Sequence, residues 1–78
     1  MLTGVVNINT ASAQELQLLP GIGETRARAV IEQRKRRGGF KRVEELLEVK
    51  GIGEASLSKL RRHLAVSGKT TAQLAARQ

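Results

Sequence analysis

Apolar residues recur at helical spacing in four stretches of the chain, and glycines separate these stretches. The longest stretch runs from Glu24 to Arg37, where Ala27, Val30 and Ile31 share one face, and it stops at Gly38. This spacing predicts an amphipathic helix over residues 24–37, the longest of the chain.

A shorter helix is predicted before it, from about Ala13 to Leu19. Ser12 lies three residues before Glu15, which is the spacing of a capping box, in which each side chain satisfies an amide at the helix start. Pro20 cannot continue the hydrogen-bond ladder, so the helix ends there and a turn follows.

The second half of the chain repeats this order. Leu46 and Leu47 mark a short third helix that ends before Gly51, and Leu57 and Leu60 mark a fourth helix over about residues 54–63. Shifting the sequence by 30 positions places Gly21-Ile22-Gly23-Glu24 on Gly51-Ile52-Gly53-Glu54. Because neither copy is long enough to bury its own apolar face, two copies are expected to share one core.

We therefore predict an all-α, compact domain of four main helices with a short extended arm at its N terminus. The domain is expected to cover residues 1–66, with the arm at 1–11, the first copy at 12–38, a connector at 39–41 and the second copy at 42–66. Phe40 on the connector is expected to fill the space between the two hairpins. Residues 67–78 are predicted to form a flexible polar tail, with a weak helix over residues 71–77 as an alternative.

The chemistry of the chain is limited by its composition. It has 78 residues, no Cys, one His and one aromatic residue, and the sequence also lacks Asp. These counts predict no metal site, no cofactor, no catalytic residue and no small-molecule substrate, so an independent enzyme is not expected. The single aromatic residue also argues against a dedicated single-strand binder. No apolar run is long enough to span a membrane, and no signal peptide is visible.

The net charge of +7 favours an anionic partner. The excess lies in two blocks, residues 34–42 with six cations and no acid, and residues 61–78 with four cations and no acid. Either block can be a solvated helix face, which is the usual meaning of a charge run. Beside two anion-binding turns, the charges instead favour DNA, and the predicted electrostatic contacts are Arg34, Lys35, Arg36, Arg37, Lys41, Arg42, Lys50, Lys59, Arg61 and Arg62.

Each Gly-Ile-Gly hairpin opens a predicted helix, and a helix N terminus offers unpaired amides and the positive end of the macrodipole. Glycine lets a phosphate approach the backbone closely, and the isoleucine between the glycines is expected to point inward as an anchor. The predicted phosphate sites are Gly21, Ile22, Gly23, Glu24 and Thr25 in the first copy, and Gly51, Ile52, Gly53, Glu54 and Ala55 in the second. Two such sites suit the two strands of a DNA duplex, without base readout.

Several motifs together resemble the tandem helix-hairpin-helix domain of ComEA-type competence proteins. They are the segment Val6-Asn7-Ile8-Asn9-Thr10-Ala11, the pair Glu15-Leu16, the run Leu19-Pro20-Gly21-Ile22-Gly23, Phe40, the run Val43-Glu44-Glu45-Leu46 and Gly51-Ile52-Gly53. The resemblance covers about residues 5–66. It implies a receptor for double-stranded DNA in natural transformation that acts with DNA-uptake machinery and is periplasmic or membrane-anchored.

Two other functions stay open at the level of sequence. One is a protein-interaction or scaffold domain of the same fold, similar to the extrinsic photosystem protein PsbU, although a neutral or acidic surface would be expected there. The other is a DNA-holding accessory domain of a larger repair enzyme. Around the core, Asn7 and Asn9 are expected to tie down the arm, His63 to be a surface residue, and Arg42 to cap the third helix less well than Ser12 caps the first.

Overall fold

The computed structural model describes residues 2–74. Helices form most of the regular structure, and short strands lie near both ends of the described range. The elements in chain order are β1 Leu2–Thr3, β2 Val6–Asn7, α1 Ala13–Leu16, α2 Glu24–Arg37, a first 3₁₀ helix Val43–Glu48, α3 Glu54–Leu60, a second 3₁₀ helix Arg61–His63, β3 Leu64–Ala65 and β4 Gln73–Leu74.

Helix α1 begins at the predicted capping box. The Ser12 hydroxyl accepts a hydrogen bond from the Glu15 amide (3.1 Å), and the Glu15 carboxylate accepts one from the Ser12 amide (2.9 Å). The α-helix ends at Leu16, three residues earlier than predicted, because the amides of Leu18 and Leu19 bond to carbonyls only three residues back. The tighter winding leads the chain into its first hairpin.

Helix α2 has the predicted bounds, Glu24 to Arg37. It ends where Gly38 takes a φ of +74°, a left-handed conformation that few side chains tolerate. The Gly39 amide then donates to the Arg34 carbonyl at 2.9 Å, which satisfies one of the last free carbonyls of the helix.

The third predicted helix is a 3₁₀ helix. Arg42 occupies its cap position in an extended conformation and its side chain makes no capping bond, as the sequence led us to expect. The Glu45 carboxylate instead accepts from the Lys41 amide at 2.8 Å, one residue earlier than the matching bond of Glu15 in the first copy. The segment winds through bonds of the 3₁₀ type, from the Glu45 amide to the Arg42 carbonyl and from the Val49 amide to the Leu46 carbonyl.

The all-α prediction describes most of the regular structure, but the described residues also contain short strands. β1 pairs antiparallel with β4, and β2 pairs parallel with β3, in two separate two-stranded sheets. The arm at β2 is buried, since Val6 and Ile8 are fully shielded from solvent. Because Val6 pairs with Leu64 directly after the second 3₁₀ helix, the start of the domain closes against the end of the second copy.

Residues 67–74 lie against the arm, where the sequence predicted a polar tail. The amides of Thr71 and Ala72 donate to the Val5 carbonyl at 2.8 and 2.9 Å, and the Thr70 hydroxyl accepts from the Asn7 amide at 2.9 Å. The alternative of a weak helix is wrong for residues 71–74, because these backbone bonds hold the segment in an extended conformation. Residues 75–77 of that prediction lie outside the described residues.

The core is aliphatic and shared by both copies. Its members come from the arm, from all three α-helices and from both hairpins, and they form one cluster with Phe40. The buried apolar residues are Val6, Ile8, Ala11, Leu16, Leu19, Ile22, Ala27, Val30, Phe40, Leu46, Val49, Ile52, Leu57, Leu60 and Leu64. Within residues 2–74 no helix has the length and apolar character needed to cross a bilayer.

Phe40 does not lie between the hairpins, so that prediction is wrong. Its backbone bonds to Asn9, and the Arg37 guanidinium lies 6.0 Å from the centre of its ring. Arg37 is the last residue of α2, about 20 Å from the first hairpin at the usual helical rise, and Asn9 belongs to the arm. The ring closes the core at the end of α2 that faces away from the hairpins.

Asn9 ties the arm to two distant segments, as expected. Its side-chain amide donates to the carbonyls of Phe40 (2.8 Å) and Val66 (2.9 Å), and its side-chain carbonyl accepts from the Phe40 amide (2.6 Å). His63 is also less peripheral than the sequence suggested, since its Nδ1 lies 3.0 Å from the Gly4 carbonyl oxygen. The arm is therefore part of the folded unit.

Replacing Asn9 with Asp is expected to destabilise the fold by about 2–3 kcal/mol, because a carboxylate would face two carbonyl oxygens and leave both unpaired. The matched control is Gln14→Glu, the same exchange of amide for carboxylate at an exposed position of α1. Urea unfolding followed by circular dichroism measures both. Equal stability of the two variants would show that the Asn9 bonds do not hold the arm.

Candidate nucleic-acid interface

The first hairpin is a tight turn between α1 and α2. The Ile22 amide donates to the Leu19 carbonyl at 3.1 Å, with Pro20 and Gly21 between them. Gly21 has a φ of +78°, as the third residue of a type II turn requires. Proline at the second position and glycine at the third are the residues that favour this turn, so the sequence determines its shape locally.

The second hairpin repeats this geometry. The Ile52 amide donates to the Val49 carbonyl at 3.0 Å, and Gly51 has a φ of +95°. Lys50 stands in the place of Pro20, and the turn forms without a proline. The sequence repeat is therefore also a repeat of backbone conformation.

Both isoleucines anchor their turns in the core, as predicted. Ile22 and Ile52 are each 5% exposed, whereas the glycines on either side of them are exposed. The buried side chain holds each turn at the protein surface, with the backbone of the glycines facing solvent. The same arrangement places a helix N terminus directly after each turn.

Each helix after a hairpin starts with unpaired amides. The first intrahelical bond of α2 runs from the Ala27 amide to the Gly23 carbonyl, and that of α3 runs from the Leu57 amide to the Gly53 carbonyl, both at 2.9 Å. Within the described part of the chain, no acceptor is bound by the eight amides predicted as phosphate donors. These are the amides of Gly21, Gly23, Glu24, Thr25, Gly51, Gly53, Glu54 and Ala55.

The second glycine of each hairpin is not needed for the turn. Gly23 and Gly53 have φ angles of −90° and −110°, which any residue can adopt. A Cβ atom added at either position would have no heavy atom within 4 Å. Neither a strained backbone nor close packing requires glycine at these positions, and open space surrounds the place where each Cβ atom would stand.

Arg26, which the sequence analysis did not select, joins the two hairpins. Its Nε donates to the Gly51 carbonyl at 2.9 Å, and its Nη1 donates to the Gly21 carbonyl at 3.3 Å. One signal was available in the sequence, because a cation in the first turn of a helix opposes the macrodipole and is unusual there. The corresponding residue of the second copy is Ser56, so comparing the two copies does not indicate a role for Arg26.

The acids at the two helix starts are exposed. Glu24 pairs with Arg28 four residues later on the same helix face, and both side chains are mostly in solvent. Glu54 has no ion pair within the described residues. This agrees with a structural role for both carboxylates, in which they stabilise the helix N terminus from the outside.

Two arginines of the first basic block are engaged by the protein itself. Arg34 donates through Nη1 to the carbonyls of Ile8 (3.1 Å) and Ala11 (2.9 Å), which anchors the arm. Arg37 forms ion pairs with Glu45 and Glu48 of the first 3₁₀ helix, and its side chain is only 26% exposed. Both guanidiniums hold the two copies and the arm together, a use that a run of cations in the sequence does not reveal.

The remaining cations of the block lie far from the first hairpin, but Arg36 lines a shallow depression with Val49 and Lys50 of the second. Lys35, Arg36, Lys41 and Arg42 are exposed and have no ion pair within residues 2–74. Lys35 lies about 16 Å along α2 from its N terminus, at the usual rise of 1.5 Å per residue. From the sequence, this block was predicted to lie beside the anion-binding turns, whereas Lys35, Lys41 and Arg42, named here the distal cations, lie near or just after the C-terminal end of the helix.

Cations of the second copy lie closer to the turns. Lys50 belongs to the second hairpin itself and shares a shallow depression with Arg26 and Gly51. Lys59 and Arg62 are exposed without an ion pair in the described range, whereas Arg61 pairs with Glu44 at 2.6 Å. Of the predicted electrostatic residues, Lys50 is therefore the one whose backbone forms part of a hairpin.

Two carboxylates, those of Glu44 and Glu45, have lowered pKa values. The hydrogen bond from the Arg61 side chain lowers the pKa of Glu44, and the hydrogen bond from the Lys41 backbone amide lowers the pKa of Glu45, with a further contribution from Arg37. Both groups are on the first 3₁₀ helix, which leads into the second hairpin. The ionised form of each therefore supports the second copy.

Comparison with known proteins agrees with this geometry. The family described as "Helix-hairpin-helix motif" matches residues 3–65. ComE operon protein 1 of Bacillus subtilis is 42% identical over 62 residues, which are 80% of this chain and 30% of that protein. Endonuclease/exonuclease/phosphatase family domain-containing protein 1 of Homo sapiens is 44% identical over 64 residues, 82% of this chain and 11% of that protein. An uncharacterized protein of Haemophilus influenzae is 51% identical over 57 residues, 72% of this chain and 51% of that protein.

Acid is expected to weaken the fold through Glu44 and Glu45. Because their folded-state pKa values are lowered, their stabilisation is complete above the ordinary value of 4.5 and is lost as the pH falls through the folded values. Glu45→Gln should lower the free energy of unfolding at neutral pH and flatten its decline below pH 4.5. Denaturant melts across this range measure the effect.

The control is Glu32→Gln, which removes an exposed carboxylate that makes no hydrogen bond or ion pair in the described structure. This variant should keep the acid dependence of the parent chain. An unchanged acid slope in Glu45→Gln would contradict the assignment of acid sensitivity to the start of the second copy.

Proposed function

The chain belongs to the helix-hairpin-helix family, and from this premise we propose that it binds double-stranded DNA through backbone phosphates, one strand at each hairpin. The observation that carries the proposal is the duplicated set of unpaired amides behind Gly23 and Gly53, with open space in front of both glycines. A helix N terminus of this kind favours a phosphate through hydrogen bonds and the macrodipole together.

The spacing of the hairpins favours a duplex over two unrelated anions. One guanidinium bonds the carbonyls of Gly21 and Gly51, which therefore lie within about 9 Å of each other. In B-DNA the strands are about 6 Å apart across the minor groove and about 12 Å apart across the major groove. Neighbouring hairpins with the same backbone conformation therefore suit the two strands that border a minor groove.

This mode of binding reads no base sequence. The proposed donors are backbone amides, and their targets are phosphates, which are the same at every step of the duplex. Chain-wide charge of +7 adds attraction that weakens with salt. Lys50, Lys59 and Arg62 of the second copy are the cations proposed to add to this attraction near the duplex.

The distal cations act differently in this proposal. Phosphates bound at a helix N terminus lie beyond the end of α2, and the distal cations lie near its other end. The distance along α2 from a phosphate at its N terminus to the distal cations exceeds the Debye length of about 8 Å at physiological salt. These residues therefore attract the duplex before contact and add little to the bound complex.

For the biological setting, we propose a DNA-receptor domain in DNA uptake, as the resemblance to ComEA-type proteins implies and the match to ComE operon protein 1 supports. Action with uptake machinery outside the cytoplasm belongs to the same proposal. A DNA-holding part of a longer enzyme is the second candidate, favoured by the match to proteins named for an endonuclease/exonuclease/phosphatase domain. The chain spans about a tenth of the length of those relatives.

Fluorescence anisotropy with labelled duplexes of several unrelated sequences tests DNA binding across a series of salt concentrations. The proposal expects similar affinity for all of them, weaker binding to single strands, and a steady loss of affinity with salt. Absence of duplex binding at low salt, together with recovery of a nuclease-resistant protein partner, would instead favour a scaffold domain.

Gly23→Ser and Gly53→Ser are each expected to weaken duplex binding by about 10- to 100-fold. A serine side chain fills the open space and its hydroxyl caps the amides that would otherwise bind a phosphate, and hydrogen bonds to charged groups are worth about 1.5–3 kcal/mol. Serine is also a better N-cap than glycine, so thermal stability should stay equal or rise. Anisotropy and thermal melts on the same samples measure both quantities.

Ser58→Gly is a control at an exposed position of α3 beyond its first turn. It should lower stability by up to about 1 kcal/mol and leave affinity nearly unchanged. Loss of binding to one sequence alone in the hairpin variants, or full binding by both, would contradict phosphate binding at the helix starts.

Neutralising the distal cations together (Lys35→Gln, Lys41→Gln and Arg42→Gln) is expected to slow duplex association by about tenfold at low salt. The dissociation rate should change by less than about twofold, because charges outside the contact mainly steer encounter. Stopped-flow mixing measures both rates, with Gly23→Ser as the comparison in which dissociation accelerates. A large rise in the dissociation rate of the triple variant would place these residues in the contact.

A further inference from the structure

We infer that Arg26 is a positioning residue that sets the distance between the two hairpins, so that both engage one duplex at the same time. The inference rests on the proposed function, since it concerns how the two hairpins act together. The carrying observation is a single side chain that bonds both turns, through Nε to Gly51 and through Nη1 to Gly21.

The connection is specific to this side chain. Among residues 2–74 no other hydrogen bond joins the first hairpin region to the second. The two bonds leave from one planar guanidinium, whose donors have fixed relative directions. A change in the spacing of the turns would therefore break or bend at least one of the bonds.

The bonded carbonyls lie directly before the proposed phosphate donors. Each belongs to the peptide group between the turn glycine and the buried isoleucine, and the next residue is Gly23 or Gly53. Arg26 therefore holds the backbone at the edge of each site from one side, while Ile22 and Ile52 hold it from the core. The orientation of the donor amides depends on both restraints.

Close packing around Gly51 supports the same conclusion. A Cβ atom at Gly51 would lie 2.8 Å from Arg26 Nε, whereas a Cβ atom at Gly21 would have nothing within 4 Å. Glycine is therefore needed in the second turn for more than its positive φ. Because Gly51 has no Cβ atom, the Arg26 guanidinium has room to reach the Gly51 carbonyl.

Arg26 is also placed against local preference. A cation in the first turn of α2 faces the positive end of the macrodipole, an arrangement that costs a helix stability. Two carbonyl acceptors offset this cost. A fixed spacing benefits binding because the second hairpin then engages the same duplex without a further loss of freedom.

The experiment compares Arg26→Ala with Arg28→Ala, which removes the same charge from the same helix. Arg28 bonds the Glu24 side chain and makes no hydrogen bond to either turn in the described residues, so it controls for charge and helix propensity. Arg26→Lys is the second variant, since it keeps the charge and cannot bond both carbonyls in the planar geometry of a guanidinium. Duplex affinity is measured across a salt series, and amide spectra of the DNA-free proteins are recorded by NMR.

Arg26→Ala and Arg26→Lys should both weaken duplex binding by roughly tenfold, the scale of coupling between neighbouring groups, whereas Arg28→Ala should cost less than about threefold. The salt slope of Arg26→Lys should equal that of the parent chain. Without DNA, the amides of Ile22 and Ile52 should shift in both Arg26 variants and not in Arg28→Ala.

A double-mutant cycle gives the readout that a simple contact would not produce. In the Arg28→Ala background, Gly53→Ser should weaken duplex binding by the same factor as in the parent chain. In the Arg26→Ala background it should weaken binding by less than about threefold, because the two hairpins no longer act together. Additive losses would overturn the positioning role. A parent-like affinity in Arg26→Lys with a salt slope reduced by about 0.9 in Arg26→Ala would show a direct phosphate contact instead.

Failure of the two ideas is distinguishable. If the parent chain does not bind duplex DNA at low salt, the proposed function fails, and the positioning role fails with it. If the parent chain binds and the Arg26 and Arg28 variants lose equal affinity, only the positioning role fails.

Discussion

Burial of Ile22 and Ile52 in one shared aliphatic core is the constraint on which the interface depends. Each isoleucine is held inside while the glycines beside it stay at the surface. A turn anchored in this way cannot retract into the protein, and it presents the first amides of the following helix to solvent. Because both turns are anchored in the same core, the position of one site constrains the position of the other.

The rest of the molecule divides into parts that support these sites and parts that act at a distance. Arg34, Arg37 and Asn9 hold the arm, the connector and the first 3₁₀ helix around the core through hydrogen bonds and ion pairs. The distal cations remain exposed at the far end of α2. The basic residues are therefore of two kinds, those that bond to other parts of the protein and those that stay exposed without an ion pair in residues 2–74.

Local signals in the sequence predicted the hairpins and α2 well, because a turn with Pro20 and Gly21 and a helix with a left-handed glycine end depend on neighbouring residues alone. The third helix was predicted less well, since the apolar spacing of Leu46 and Leu47 does not distinguish an α-helix from a 3₁₀ helix over six residues. The strand pairs and the bridge by Arg26 join residues far apart in the chain, including Leu2 with Leu74, and no periodic pattern records such contacts. For the same reason, the run of cations at residues 34–42 looked uniform in sequence although its members have different partners.

The central claim is that backbone amides at the two helix starts bind the duplex. Titration of the ¹⁵N-labelled chain with a short duplex, followed by NMR, tests it most directly. We expect the amides of Gly23, Thr25, Gly53 and Ala55 to shift most and to saturate together at one duplex per chain, while those of Lys35 and Lys41 change little. Saturating shifts centred on residues 35–42, with the hairpin amides unaffected, would contradict the account.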